Sequence, residues 1–259
     1  MNLLFDRKLL RKNRARIAKN FAQHNFLHHE ISELIVENIE LLNSNFDKCL
    51  EISALDNHLT DSIAKTKKVK QIFQTQMNFV SNCQIVADDE FLPFKKESFD
   101  LIVSNLNFQH VNLVEQFLVQ TRELLKKDGV FIASFFGEEN LFSLRKAVFE
   151  AENEVFGGIS PRIIPTIDVK NAAALLQKAG FKNPVSSLEI VEVEYENPMK
   201  LLSDLKNMGQ GNILLMRTKK FATRKFLDEI LKNYAKIEGS QAGFVKVKFE
   251  IVMMIGWKK

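Results

Sequence analysis

Residues 86–106 read VADDEFLPFKKESFDLIVSNL, a short apolar run, an acidic turn and a second apolar run. The first run ends at Ala87, and the second covers residues 99–106. Strands that are apolar on both faces are typical of a parallel sheet covered by helices on both sides. This stretch therefore predicts two strands of an α/β sheet, with Asp88, Asp89 and Glu90 in the turn that follows the first of them.

Short apolar runs also occur before and after this stretch. Helical patterns, such as residues 112–126, separate several short apolar runs. Strands that alternate with helices, joined by right-handed crossovers, predict a doubly wound, Rossmann-like sheet. The predicted strands are 48–53, 69–75, 83–87, 99–106 and 129–136.

The two ends of the chain differ from this middle part. Residues 6–43 have a helical pattern. Residues 189–196 alternate strictly between apolar and acidic side chains, which predicts a strand with one wet face near a sheet edge. A last strand is predicted at 245–255. The helical segment 198–236 lies between these two strands and is predicted to form a lid over the carboxyl edge of the sheet.

Composition indicates a globular protein of a reducing compartment. The chain has 259 residues and a net charge of +4, and no run of 18 apolar residues predicts a membrane span. We expect no secretion signal and a bacterial cytoplasmic location, with the inner face of the membrane as an option. Cys49 and Cys83 lie in apolar, strand-like runs and are interpreted as buried structural thiols.

Basic residues are concentrated near the N-terminus. This distribution is typical either of a solvated helix face or of an arm that docks on an acidic protein, a membrane surface or RNA. We expect a protein partner and no nucleic acid. The basic residues of this segment are Arg7, Lys8, Arg11, Lys12, Arg14, Arg16 and Lys19.

Candidate ligand-binding residues follow the ends of the predicted strands, because open α/β sheets bind ligands beyond the carboxyl ends of their central strands. After the strand at 83–87, the Asp88 carboxylate can accept a hydrogen bond from an exocyclic amine such as that of adenine. The apolar segment 91–94 can then cover the ring. Neither His28 and His29 with Glu30 nor any other set has the spacing of a metal site, so we expect none.

Three segments resemble a known family. They are residues 86–106, GGISPRIIP at 157–165 and MIGWK at 254–258. Together they are similar to the methyltransferase-fold assembly factors of respiratory NADH dehydrogenase, the complex I assembly factor five type. The first segment also resembles class I S-adenosylmethionine (SAM) methyltransferases more widely, including the malonyl-acyl-carrier-protein methyltransferase of biotin synthesis.

The resemblance implies a fold, a cofactor and a client. The fold is a seven-stranded Rossmann-like α/β sheet whose last strand is antiparallel, and the cofactor is SAM. The implied activity is hydroxylation of an arginine on an NADH dehydrogenase subunit rather than methyl transfer. We accordingly divide the chain into an N-terminal helical arm, 1–45, and a methyltransferase-like domain, 46–259, with 198–236 as its lid.

The resemblance also assigns cofactor-binding positions. Asp88 and Asp89 match the acidic residues beside adenine, Glu51 matches an acid at the end of the first strand, and Asn105 follows the fourth strand. No catalytic residue is assigned. The remaining cofactor-binding positions, Ser53 and Gln76, carry residues that differ from the family pattern.

The glycine motif of the family is absent from this sequence. Ser53, Leu55 and Asn57 stand in the three glycine places, and Gln76 stands where an aspartate normally accepts the ribose hydroxyls. We expect Leu55 to obstruct the ligand, whereas Asn57 is a mild change because asparagine can adopt the left-handed conformation. Three functions remain open at this point: an enzyme that uses SAM, a non-catalytic chaperone with the methyltransferase fold, and a malonyl-acyl-carrier-protein methyltransferase.

Overall fold

The computed structural model describes residues 3–79, 84–219, 222–238 and 245–259, so Cys83 lies outside the described residues. All the strands described belong to one sheet. Their bounds are β1 Phe46–Glu51, β2 Val69–Gln76, β3 Ile85–Val86, β4 Phe99–Ser104, β5 Leu125–Phe136, β6 Lys182–Tyr195 and β7 Val245–Trp257.

The order of the strands is β3-β2-β1-β4-β5-β7-β6. The first five strands pair in parallel, and β7 runs antiparallel to both β5 and β6. This confirms the predicted seven-stranded sheet with a reversed last strand. It also explains the alternating pattern of β6, which lies at the edge of the sheet and is only partly covered.

Helices cover both faces of the sheet. One core joins the buried faces of α2, α5 and α8 to the sheet, and the other joins α4 and α6 to the opposite face. Cys49 is a buried free thiol in the first core. The helices are α1 Arg7–Ile17, α2 Phe26–Leu41, α3 His58–Lys65, α4 Val114–Leu124, α5 Phe142–Phe156, α6 Val169–Lys178, α7 Pro198–Asn207 and α8 Arg224–Glu238, with short 3-10 helices at Phe21–Gln23 and Phe108–His110.

Helix α1 lies between the end of β2 and the segment that follows α7. Leu10 is fully buried in a small apolar cluster with Met77 and Leu214. The chain before the helix is tied to the same segment, since the Asp6 amide donates to the Ile213 carbonyl at 2.8 Å. The expectation that the basic run forms either a solvated face or a docking arm is wrong for Arg14, which is buried.

Among the described residues, no helix is long and apolar enough to cross a membrane. The predicted lid, 198–236, contains α7 and most of α8, and buried side chains of both helices belong to the same core. Helix α8 packs along α5, and Phe226 and Ile230 are buried there. The position of these helices fixes one wall of the region beyond β4 and β5.

Candidate cofactor site at the carboxyl edge of the sheet

The end of β1 carries a buried acid. Glu51 is enclosed by the protein, and its Oε2 accepts a hydrogen bond of 2.9 Å from Gln74 Nε2. Burial raises the pKa of Glu51 to about 8, and the bond from Gln74 offsets only part of that effect. At neutral pH this side chain is therefore predominantly a neutral carboxylic acid.

The loop after β1 retains one left-handed residue. Ser53 has a φ of 57°, a conformation that costs a non-glycine residue about 1–2 kcal/mol. Asn57 has a φ of −99° and precedes α3, so the left-handed conformation that asparagine can adopt is not used there. Position 53 is therefore the one in this loop where the backbone conformation favours glycine.

Asp89 is the centre of a buried polar network. Its carboxylate accepts hydrogen bonds from the Ser53 hydroxyl and, at 2.7 Å, from Asn107 Nδ2. Asn107 Oδ1 in turn accepts a hydrogen bond from Arg14. Burial opposes ionisation of Asp89, but the charges of Arg14 and Arg7 and the two hydrogen bonds hold its pKa below the usual value. The network thus joins the ends of β1 and β4 to helix α1.

Asp88 lies at the outer side of this network. Arg7 Nη2 donates to Asp88 Oδ1 at 2.5 Å, and the Glu90 amide donates to the same oxygen at 3.0 Å. The Asp88 side chain is 38 % exposed, whereas that of Asp89 is fully enclosed. Of the two acidic residues assigned to the adenine side, only Asp88 is accessible to a ligand.

Gln76, the last residue of β2, lines a cavity of about 260 Å³. The sheet side of this cavity is formed by residues 54–57 and 76–78, and Arg14, Ile17 and Phe21 form the other side. A hydrogen bond attaches α1 to the sheet side of the cavity, because the Arg11 carbonyl accepts from Asn78 Nδ2 at 2.9 Å. Helix α1 is therefore the roof of a pocket at the carboxyl ends of β1 and β2.

The space beside Glu51 is nearly filled. A gap of only about 10 Å³ remains there, bounded in part by Phe21, His28, Leu55 and Leu59. Asn105 borders the gap, but its Nδ2 donates to the His28 carbonyl at 2.8 Å and to Ser32 Oγ at 3.0 Å. The predicted obstruction at Leu55 therefore coincides with a closed part of the site.

Comparison with known proteins places this geometry in a family. The chain is 32% identical to the arginine-hydroxylase NDUFAF5, mitochondrial, of Mus musculus over 98% of this chain and 77% of that protein. The chain belongs to the NDUFAF5 family. Residues 37–133 also match a family model described as a methyltransferase domain.

Other relatives of this NDUFAF5 homologue are more distant or shorter. The protein RP459 of Rickettsia prowazekii is 36% identical over 73% of this chain and 85% of its own length. A malonyl-[acyl-carrier protein] O-methyltransferase of a Methylovorus strain is 24% identical over 98% of this chain and 90% of its own. The predicted resemblance to the complex I assembly factors and, more distantly, to the malonyl-acyl-carrier-protein methyltransferases is thereby confirmed.

The fold of the NDUFAF5 homologue also matches solved structures. The YcgJ protein of Bacillus subtilis aligns with a TM-score of 0.60 at 13% identity, over 89% of this chain and 99% of that chain. At this identity the match concerns the fold alone. A methyltransferase-type sheet is therefore established both by the strand order and by comparison.

The residues of this NDUFAF5 homologue fit one part of SAM and not the other. The cavity beside Gln76 is just below the ~300–1,000 Å³ typical of small-molecule sites, which suits the nucleoside part. The gap beside Glu51 cannot admit the amino-acid part while Leu55 and Leu59 border it. In this conformation of the loop 53–57, the amino-acid part of the cofactor has no space beside Glu51.

Sequence reasoning missed two residues of the site. Arg14 and Asn107 complete the Asp89 network, but nothing in a basic helix marks one arginine as buried. The spacing offered a weak signal, since Leu10, Arg14 and Ile17 lie on one helical face. Arg162, in the segment 157–165, donates to Glu152 Oε1 at 2.5 Å.

Two buried histidines border the site. Burial lowers the pKa of His28 to about 4 and that of His110 to about 3, so both rings are neutral at neutral pH. Within the described parts of the chain, no partner binds their ring nitrogens. Nor do the described residues contain a group of three or more His, Cys, Asp or Glu side chains that could hold a metal ion.

Proposed function

We propose that this protein binds the nucleoside part of SAM at the cavity beside Gln76 and modifies an arginine of a protein client. The observation that carries the proposal is a nucleoside-sized pocket at the carboxyl ends of β1 and β2 in a chain that aligns over 98% of its length with an arginine-hydroxylase. The client we propose is a subunit of NADH dehydrogenase, and the compartment is the bacterial cytoplasm.

The chain's own residues would hold the ligand as follows. Gln76 accepts a hydrogen bond from a ribose hydroxyl, more weakly than an aspartate would, because its amide is neutral. Asp88 is partly exposed and does not itself line this cavity, so it accepts a hydrogen bond from the adenine amine only if the base extends beyond the cavity. Asp89, Ser53, Glu51 and Asn105 support the surrounding loops, since their polar atoms already bind other protein groups.

The hydroxylase activity that we propose needs an oxidant and a reductant. Insertion of one oxygen atom into a C–H bond of arginine consumes dioxygen, two electrons from a reductant and two protons, and it releases water. When bound, SAM supplies an activated methyl group, which serves the alternative outcome of methyl transfer. The reductant and dioxygen come from outside the chain.

The partner surface is proposed to include the exposed side of α1. Lys8, Lys12 and Arg16 are exposed, and their charge would attract an acidic client or a membrane surface near it. We propose that residues 1–45 form an arm that covers the cofactor pocket. Residues 198–236 then form a lid beside it. Both elements border the carboxyl edge of the sheet.

Calorimetric titration with SAM, S-adenosylhomocysteine and adenosine tests the ligand. We expect adenosine to bind about as tightly as SAM, because only the nucleoside part has space in this conformation. Asp88→Ala should weaken adenosine binding without changing the circular dichroism spectrum, and Asp47→Ala, an exposed aspartate on β1, is the matched control.

Failure of all three ligands to bind would contradict the enzyme proposal. It would favour a chaperone that keeps the fold for its partner surfaces, for which the closed space beside Glu51 is the supporting observation. Mass spectrometry of a co-expressed dehydrogenase subunit then separates the two functions. An arginine that gains one oxygen atom only when this protein is present supports hydroxylation.

A further inference from the structure

A second cavity, of about 250 Å³, lies beyond the ends of β4 and β5. Phe136, the last residue of β5, and Gln109 line one side of it. Leu144 and Val148 of α5 and Ile230 of α8 form apolar walls around the rest. The volume suits a small apolar group, because it is slightly below the ~300–1,000 Å³ of typical ligand pockets.

The charged residues that line this cavity are both arginines. They are Arg145 and Arg162, and no aspartate or glutamate lines the cavity. The charge of Arg162 is already compensated, since Arg162 pairs with the buried Glu152 and its guanidinium lies 4.6 Å from the centre of the Phe226 ring. Arg162 is therefore a structural part of the wall.

Arg145 differs from Arg162 in lacking a counter-charge. Its Nη2 donates to the Glu138 carbonyl, but no ion pair of Arg145 exists among the described residues. Its Nε is buried without a hydrogen-bond partner in the same part of the chain. An unpaired guanidinium beside an apolar cavity attracts a carboxylate, which it binds through charge-assisted hydrogen bonds.

The lining of the cavity also includes an unsatisfied acceptor, on Gln109. Gln109 is 8% exposed, and its Nε2 donates to the Leu106 carbonyl at 2.7 Å and to Gln210 Oε1 at 3.3 Å. Its Oε1 is buried and has no partner within the described residues. A buried acceptor without a donor is costly, so Arg145 and Gln109 are the two lining residues with unused hydrogen-bonding capacity.

We propose that this cavity binds a small apolar carboxylate, with the hydrocarbon body between α5 and α8 and the carboxylate on Arg145. A guanidinium would find no acidic residue here and would face Arg145, so the client arginine of the proposed function lies elsewhere. The inference goes beyond that function and does not depend on SAM binding. Octanoate has a size suited to the cavity and is the probe.

Calorimetry with octanoate, octanol and octylamine tests the proposal, because the three share one chain and differ in charge. We expect octanoate to bind at least about tenfold more tightly than octanol, a difference of about 1.4 kcal/mol, and octylamine to bind most weakly. Val148→Trp should abolish binding of all three by filling the cavity. Circular dichroism establishes that each variant is folded.

The deciding variant is Arg145→Gln, with Lys146→Gln as its control. Lys146 is the next residue on α5 and is exposed, so the control removes the same charge without touching the cavity. Arg145→Gln should reduce octanoate affinity to that of octanol, and Lys146→Gln should not. Equal effects of the two variants, or octylamine binding as tightly as octanoate, would overturn the proposal.

The adenosine titration is kept separate from this experiment. It reports on the cavity beside Gln76, which shares no lining residue with the cavity beside Arg145. Failure of adenosine to bind would count against the proposed function alone. Failure of octanoate to bind would count against the carboxylate site alone.

Discussion

At the scale of single residues, Ser53 occupies a glycine position of the family motif and forms a side-chain hydrogen bond there. Ser53 stands where a glycine would permit the left-handed backbone, and it keeps that conformation with a φ of 57°. Its hydroxyl donates to the buried Asp89 carboxylate. The residue therefore combines a backbone cost with a charge-assisted bond, and substitutions can separate the two effects.

Ser53→Ala should be less stable than Ser53→Gly by about 1–2 kcal/mol. Both variants lose the hydroxyl, but only alanine keeps the steric cost of a positive φ. Urea denaturation of the two variants measures this difference directly. Equal stabilities would show that the backbone at position 53 relaxes out of the left-handed region.

The buried acid of β1 gives a second residue-scale prediction. The pKa of Glu51 is raised from 4.5 to about 8 in the folded state, so the folded protein holds the proton more tightly than the unfolded chain. Its contribution to stability is complete below pH 4.5 and is lost as the pH rises through about 8.

Glu51→Gln should therefore flatten the fall in unfolding free energy between those two pH values. Glutamine keeps the shape and cannot ionise. Denaturation curves of parent and variant, measured across this range, test the prediction by their difference. An unchanged slope would mean that Glu51 is ionised in the folded protein.

At the scale of elements, α1 is attached to the sheet by charge as well as by apolar packing. Arg14 and Asp89 are both buried, and Asn107 bridges them. The Coulomb attraction of Arg14 helps to keep the pKa of Asp89 low. Breaking a buried pair by removing one partner is much more costly than removing both, because one charge is then left uncompensated.

Asp89→Asn and Arg14→Met should each destabilise the protein by about 3–5 kcal/mol, and the double variant should cost clearly less than their sum. Lys12→Met, on the exposed face of the same helix, serves as the control and should change stability little. A double-mutant cycle by chemical denaturation gives the coupling. Additive effects would mean that the two charges do not interact.

At the scale of the whole molecule, the site is divided between an open and a closed part. Leu55 borders both the cavity beside Gln76 and the gap beside Glu51. A shorter side chain at 55 would connect the two spaces. The capacity of the fold for a complete cofactor therefore depends on one loop residue together with the acceptor at 76.

Leu55→Gly combined with Gln76→Asp should strengthen SAM binding by about 1–3 kcal/mol, through relieved packing and a charged ribose acceptor. Adenosine should gain less than SAM, since only SAM has an amino-acid part to place in the opened space. Calorimetry with both ligands measures the two gains. Equal gains would show that the space beside Glu51 stays closed.

The sequence alone determined the architecture. Apolar runs at the spacing of strands, helical patterns between them and an alternating edge strand predicted the sheet, because burial on both faces leaves a direct trace in side-chain type. The resemblance of residues 86–106, 157–165 and 254–258 predicted the family, which comparison confirmed. The absence of the glycine motif was also evident from the residues at 53, 55 and 57.

Only the tertiary structure decided which groups meet. The sequence does not distinguish one basic position of α1 from another. Packing buries Arg14 and leaves Lys12 exposed. The conformational requirement at 53 rather than 57 follows from the path of the loop, which no single residue type specifies. The isolated charge of Arg145 likewise exists because α5, α8 and the 162–166 segment converge on one cavity. Charge compensation is a property of distances, and distances between remote segments are set by the fold.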